Sequence, residues 1–217
     1  MSYLSPEMAY QAIERMKNFH DKLQATYEEN GMNFLEDIGR RNILMSRPQE
    51  KFFAAALSTV FSNTTSDGRT GQPDILIPDL GKELECKITS PHRSGCWSLQ
   101  TDYGTLQKKG KLDYLYVLCD RNFEDFAVFH FENLTVDDFK EPASGSRGKS
   151  SIIMSRAIHK CNILVGDIKN RNQAFLESIS EKLTKTPLTL CQKEKLLSRQ
   201  KYWTKAPASF SFKLEAA

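Results

Sequence analysis

No stretch of this chain reaches the roughly 20 consecutive apolar residues that cross a bilayer. The opening residues, MSYLSPEMAYQAIERMK, lack the charged-then-apolar order of a secretion signal. Cysteine is sparse: Cys86, Cys96, Cys119, Cys161 and Cys191 are odd in number and scattered, which argues against a disulfide framework. Cys86, His92 and Cys96 lie close in sequence, but there is no CxxC pair and no fourth ligand at a zinc-site spacing. GxGxxG, the P-loop, GxSxG, HxH and HExxH are all absent, so the commonest nucleotide, hydrolase and metalloprotease signatures are missing. These absences lead us to expect a soluble, cytoplasmic protein with reduced thiols and no membrane partner.

What is present is an ordinary globular composition. Of 217 residues, 40% are hydrophobic and 26% charged, with 11 Gly and 8 Pro. That length favours one largish domain over two small ones. The net charge of +3 is compatible with nucleic acid and diagnoses nothing, since a binding cleft needs only local positive charge.

Residues 1–45 read mainly as helix, starting at Ser5-Pro6-Glu7 and stopping near Asn30-Gly31. Ser46-Arg47-Pro48-Gln49 has the marks of a second helix start, with Ser46 as cap and Gln49 completing a capping box. Phe53, Leu57, Val60 and Phe61 then form a core-facing stripe. Glu50 falls on or beside that stripe. Either it has a buried partner, or it sits at the helix N-terminus where the macrodipole favours an acid.

Strands are expected at 74–78, 82–89, 112–119 and 126–131, with shorter ones at 152–154 and 162–165. A short helix is expected within 98–111, weakened by Gly104, and helical patterning returns over 170–200, broken at Pro187. The closing KLEAA resembles a vector-derived tail and is set aside. The order implies an α/β fold with a central mixed sheet flanked by helices. It reads as a single domain: an N-terminal helical part (1–45), a core (46–131) and a C-terminal part (132–217).

The most informative stretch is GQPDILIPDLGKELECKITS, residues 71–90. Ten residues separate Asp74 from Glu85, enough for a strand, a turn around Asp79-Leu80-Gly81 and a return. Strand alternation puts Leu84, Cys86 and Ile88 on one face. Glu83, Glu85, Lys87 and Thr89 fall on the other, with Glu85 and Lys87 roughly 7 Å apart. Antiparallel pairing would bring Asp74 beside them. Taken alone, the ExK triplet equally describes a solvated strand face. Asp74, however, is the only acid in an otherwise apolar run and follows Pro73, which suits a strand start.

Pro73-Asp74 followed by Glu85-Cys86-Lys87 across a strand–turn–strand resembles the motif of the PD-(D/E)xK nuclease superfamily, and type II restriction endonucleases in particular. The likeness covers about residues 47–119. It implies a restriction-endonuclease-like core and a sequence-specific cut in double-stranded DNA that leaves 5′-phosphate and 3′-hydroxyl ends. It also implies Mg²⁺, replaceable by Mn²⁺, and a homodimer to cut both strands. Asp74 and Glu85 would supply carboxylates to the metal, the Cys86 carbonyl a third oxygen, and Glu50 a further acid. Lys87 would orient the attacking water and stabilise charge. Gln100, with Tyr103, matches weakly a Gln that follows this motif in some branches.

Arg93, Lys108, Lys109 and Lys111 are candidate phosphate contacts, and Arg147, Lys149, Arg156, His159 and Lys160 candidate base readers. The same basic runs also describe a solvated surface. A repair nuclease, a junction resolvase or a catalytically silent DNA-binding domain would share the scaffold.

Overall fold

Ser5 accepts the Met8 amide and Pro6 fills the first turn, so α1 (Pro6–Glu29) starts where its signals lie. It ends at Asn30, and Gly31 follows at φ +68°, a left-handed turn that glycine adopts without strain. The next helix departs from expectation. α2 (Ile38–Leu57) begins eight residues earlier than Ser46, because Asp37 caps it by accepting the Arg40 amide. Pro48 lies inside this helix and is buried. Ser46 does not cap at all: its hydroxyl donates back to the Ile43 carbonyl at 2.8 Å. α2 also ends at Leu57, which leaves Val60 63% exposed rather than in the core stripe.

The structure, a computed structural model, describes residues 2–69, 72–92, 96–145, 148–185 and 187–214. After α2 come β1 (Ile75–Ile77), β2 (Lys82–Thr89), β3 (Gln100–Asp102), α3 (Tyr103–Lys109), β4 (Leu112–Cys119) and β5 (Phe126–Leu134). β6 (Lys149–Ser151), α4 (Met154–Ala157) and β7 (Cys161–Val165) follow. The chain closes with β8 (Asp167–Asn170), α5 (Arg171–Lys185), α6 (Leu190–Lys205) and β9 (Phe210–Lys213). Where a strand was expected at 152–154, only Ile152 bridges, to Phe139, and Met154 opens α4. β9 takes in Lys213, which belonged to the tail set aside above.

Contacts divide the chain into two compact units, residues 1–167 with 214–217, and residues 168–213. The first holds a five-stranded mixed sheet in the order β1-β2-β4-β5-β7. Only β2 and β4 run parallel; the other neighbours are antiparallel. β4 is buried along its whole length, which explains its nearly continuous apolar run LDYLYVLC. Leu84, Cys86, Leu115, Val117 and Val128 meet Ile13, Met16, Met45, Phe53 and Leu57 from α1 and α2. On the opposite face Tyr114 packs near Phe139, and Tyr116 packs edge-on against Phe131. In the second unit α5 turns Asn172 and Ile179 inward, and Phe175 stacks on Trp203 of α6 at 4.6 Å.

Among the described residues no helix is long and apolar enough to cross a membrane.

Candidate active site

β1 and β2 pair antiparallel with Ile75 opposite Leu84, so the next step of the register sets Asp74 beside Glu85. Gly81 makes the return possible, sitting at φ +60° with open space where a side chain would project. One Asp74 carboxylate oxygen accepts the Cys86 amide at 2.8 Å. Lys87 donates to Glu85 at 2.5 Å across the i,i+2 spacing of one strand face. Cys86 turns its thiol into the core, as alternation requires. Asp74, Glu85 and Lys87 thus share one end of the β1–β2 hairpin.

Glu50 reaches this neighbourhood from α2. It stands well inside the helix, so the macrodipole at an N-terminus does not hold it. Its partner is Arg47, whose guanidinium donates to it at 2.6 Å and also to the Ser66 hydroxyl and carbonyl, both at 2.9 Å. Beside Glu50, the buried Gln49 donates to the main-chain carbonyls of Lys87 and Leu115, pinning α2 to the two parallel strands. Neither Arg47 nor Gln49 was picked out from sequence as part of the site. The Arg47–Glu50 spacing of three residues on one helix was the available signal, hidden by placing the helix start at Ser46.

The electrostatics follow from this crowding. Burial pushes the Asp74 carboxyl up from 3.8 to about 6, and the nearby Glu85 and Glu50 carboxylates add to the rise. For Lys87, burial works against the charge, but Glu85 and then Asp74 outweigh it, so its pKa is raised and it stays an ammonium. The Cys86 thiol is pushed far up by burial and by the acids around it, which removes it as a nucleophile.

Family models, curated proteins and solved structures all return no match to this chain. The site therefore stands on its own geometry. Among the described residues no group of three or more His, Cys, Asp or Glu side chains is arranged to hold a metal ion. The donors at hand are two neighbouring carboxylates, Asp74 and Glu85, with Glu50 turned toward Arg47. Two carboxylates, a main-chain oxygen and waters are a donor set that Mg²⁺ accepts, and a dication would offset the burial and the carboxylate repulsion that raise Asp74.

A cavity of about 280 Å³ is lined by Lys87, Thr89, Gln100, Asp102, Tyr116 and Lys149. Gln100 and Lys149 reach it because β3 pairs with β6, Gln100 opposite Ser151 and Asp102 opposite Lys149. Asp102 also caps α3 by accepting the Thr105 amide at 2.8 Å. Lys108 is exposed in the last turn of α3, while Lys109 is tied to Glu83 at 2.8 Å. Lys160 pairs with the buried Asp138 at 2.7 Å and so serves the fold. Arg156 donates to the Asp137 carbonyl at 2.9 Å, and His159 is exposed. Arg93 and Arg147 lie outside the described residues.

Proposed function

We propose that the protein is a metal-dependent endonuclease acting on double-stranded DNA. In this reading it cuts as a homodimer at a specific sequence, leaving 5′-phosphate and 3′-hydroxyl ends. The observation that carries the proposal is the meeting of Asp74, Glu85 and Lys87 at the end of one hairpin, with the Asp74 carboxyl raised to about 6. That is two acids and a cation where a hydrolytic site needs them. The strand–turn–strand context and the helix carrying Glu50 support a restriction-endonuclease-like core, whose PD-(D/E)xK motif these residues resemble.

Asp74 and Glu85 would hold Mg²⁺ or Mn²⁺, with the Cys86 carbonyl as a further oxygen donor and Glu50 able to join them only on leaving Arg47. Such an ion supplies Lewis-acid stabilisation of phosphate charge and a more acidic water. Lys87, kept as an ammonium, donates hydrogen bonds: it orients the attacking water and neutralises charge on the phosphate. It does not act as the base in its ground state. The Cys86 amide fixes the Asp74 carboxylate, and Gln49 fixes the strand that carries Lys87.

The test is plasmid DNA incubated with Mg²⁺ and, separately, with EDTA. Discrete bands in Mg²⁺ alone are expected, with linear product appearing without a build-up of nicked circles if two subunits cut together. Asp74→Ala, Glu85→Ala and Lys87→Ala should each lower cleavage by at least ~100-fold while the circular dichroism spectrum stays that of the parent. Full activity in Glu85→Ala would refute the site, and an inert wild type would refute the enzyme.

A further inference from the structure

The chain's charge is unevenly divided between its two units. Residues 168–213 contain eight Lys and two Arg against three Glu, a net of +7. The whole chain carries +3, so the remainder, with the carboxylate site, is net −4. The positive charge is also left unneutralised. Among the described residues of this unit, Lys185 alone has a carboxylate at salt-bridge distance, Glu181 at 2.8 Å.

α6 concentrates the effect. Thr189 caps it and closes a capping box with Gln192, so the helix is locally well specified. Leu196, Gln200 and Trp203 are its half-buried positions and follow one helical face. That face turns inward, where Trp203 stacks on Phe175 and Arg171 lies over both rings at 5.8 Å. Lys193, Lys195, Arg199, Lys201 and Lys205 are all exposed on the rest of the helix. Asn172 braces the arrangement, donating to the carbonyls of Ala206 and Pro207 and accepting the Ser209 hydroxyl at 2.6 Å.

We infer that residues 168–213 form a nucleic-acid-binding surface that grips the phosphate backbone of duplex DNA without reading its sequence. Five long cations on one exposed helix can each meet a phosphate and release a counterion. A helix built to lie in an anionic membrane keeps its apolar face for lipid. α6 spends Leu196 and Trp203 on packing inside the unit. The apolar side chains it leaves exposed, Leu190, Leu197 and Tyr202, are interspersed with its lysines rather than forming a continuous stripe, which favours a charged polymer over a membrane. The choice of duplex DNA as occupant rests on the proposed nuclease function; the charge arrangement does not. None of these five residues was among the DNA contacts expected from sequence.

The experiment uses the full chain in EDTA, where metal-dependent cutting plays no part. Fluorescence anisotropy with a labelled 20-base-pair duplex is measured across salt concentrations for wild type and for a variant with Lys193, Lys195, Arg199, Lys201 and Lys205 all changed to Gln. The variant is expected to bind at least ~10-fold more weakly near 0.1 M salt, with a log–log salt slope shallower by about 3–4. Replacing the four lysines by Arg should keep the wild-type slope. Equal binding by the Gln variant and wild type overturns the inference. So does tighter binding of wild type to phosphatidylserine vesicles than to DNA. If DNA binding behaves as expected while no duplex is ever cut with Mg²⁺, this surface stands and the nuclease reading falls.

Discussion

Asp74 is where the fold works against its own stability. Its pKa is about 6 in the folded protein against 3.8 ordinarily, with burial the leading cause and Glu85 and Glu50 adding to it. A carboxyl whose folded pKa is raised stabilises the fold below its ordinary pKa, and that contribution is lost as pH climbs through the folded value. Ionised Asp74 should therefore cost on the order of 1–2 kcal/mol above pH 6, allowing for solvent screening. Asp74→Asn keeps a neutral acceptor for the Cys86 amide and should melt higher than wild type at pH 7–8, the gap closing by pH 4. Added Ca²⁺ should raise the melting temperature of wild type and leave Asp74→Asn unmoved. Thermal denaturation across pH checks both, and a wild type that outlasts the variant at pH 8 would contradict the crowding. Cleavage at limiting Mg²⁺, if Asp74 must be ionised to take up the metal, should be half-maximal near pH 6 and level roughly a unit above it.

Arg47 shows how tightly the neighbourhood is filled. Gly68 lies at φ +71°, and a Cβ there would come within 2.5 Å of the Arg47 guanidinium carbon. Gly68→Ala is thus strained twice, by its backbone and by that approach, and should destabilise by about 1–3 kcal/mol in urea titration. It should also free Glu50 from Arg47, so any change in metal affinity would report on Glu50's part in the site.

Among the elements, α2 matters most, because it carries Arg47, Gln49 and Glu50 to the sheet. Its start decides their environment. Asp37, not Ser46, satisfies the first free amides, so Asp37→Ala should cost about 1 kcal/mol in chemical denaturation. Ser46→Ala should change stability by less than about 0.5 kcal/mol, since its hydroxyl only returns to the Ile43 carbonyl. The reverse order would restore the later helix start. The local signals at Ser46–Gln49 are real, but a cap signal cannot show whether an earlier cap has already begun the helix. Pro48 is accommodated with its ring buried, which offsets the one amide bond it cannot make.

At the scale of the molecule, the two units differ in how much they bury. β4 is buried at all eight positions, whereas α6 has no buried residue and α5 only Asn172 and Ile179. Amide hydrogen exchange should accordingly find β4 protected to the level of global unfolding. α5 and α6 should exchange through openings of much lower free energy. Equal protection in β4 and α6 would show that the second unit is far better held than its burial implies.

Much of this was legible in the residues alone. The bounds of β2 and β4, the inward side of Cys86 and the shared face of Glu85 and Lys87 follow from alternation and run length, which are properties of neighbours in sequence. The partners of those residues are not. Arg47 on Glu50, Gln49 on two strand carbonyls, and Lys149 beside Lys87 all depend on where distant segments come to rest. The pKa of Asp74 depends on the same placement, because burial and the distance to other charges exist only once the chain has folded. Periodicity is written in the chain, whereas the company each charge keeps is set by packing.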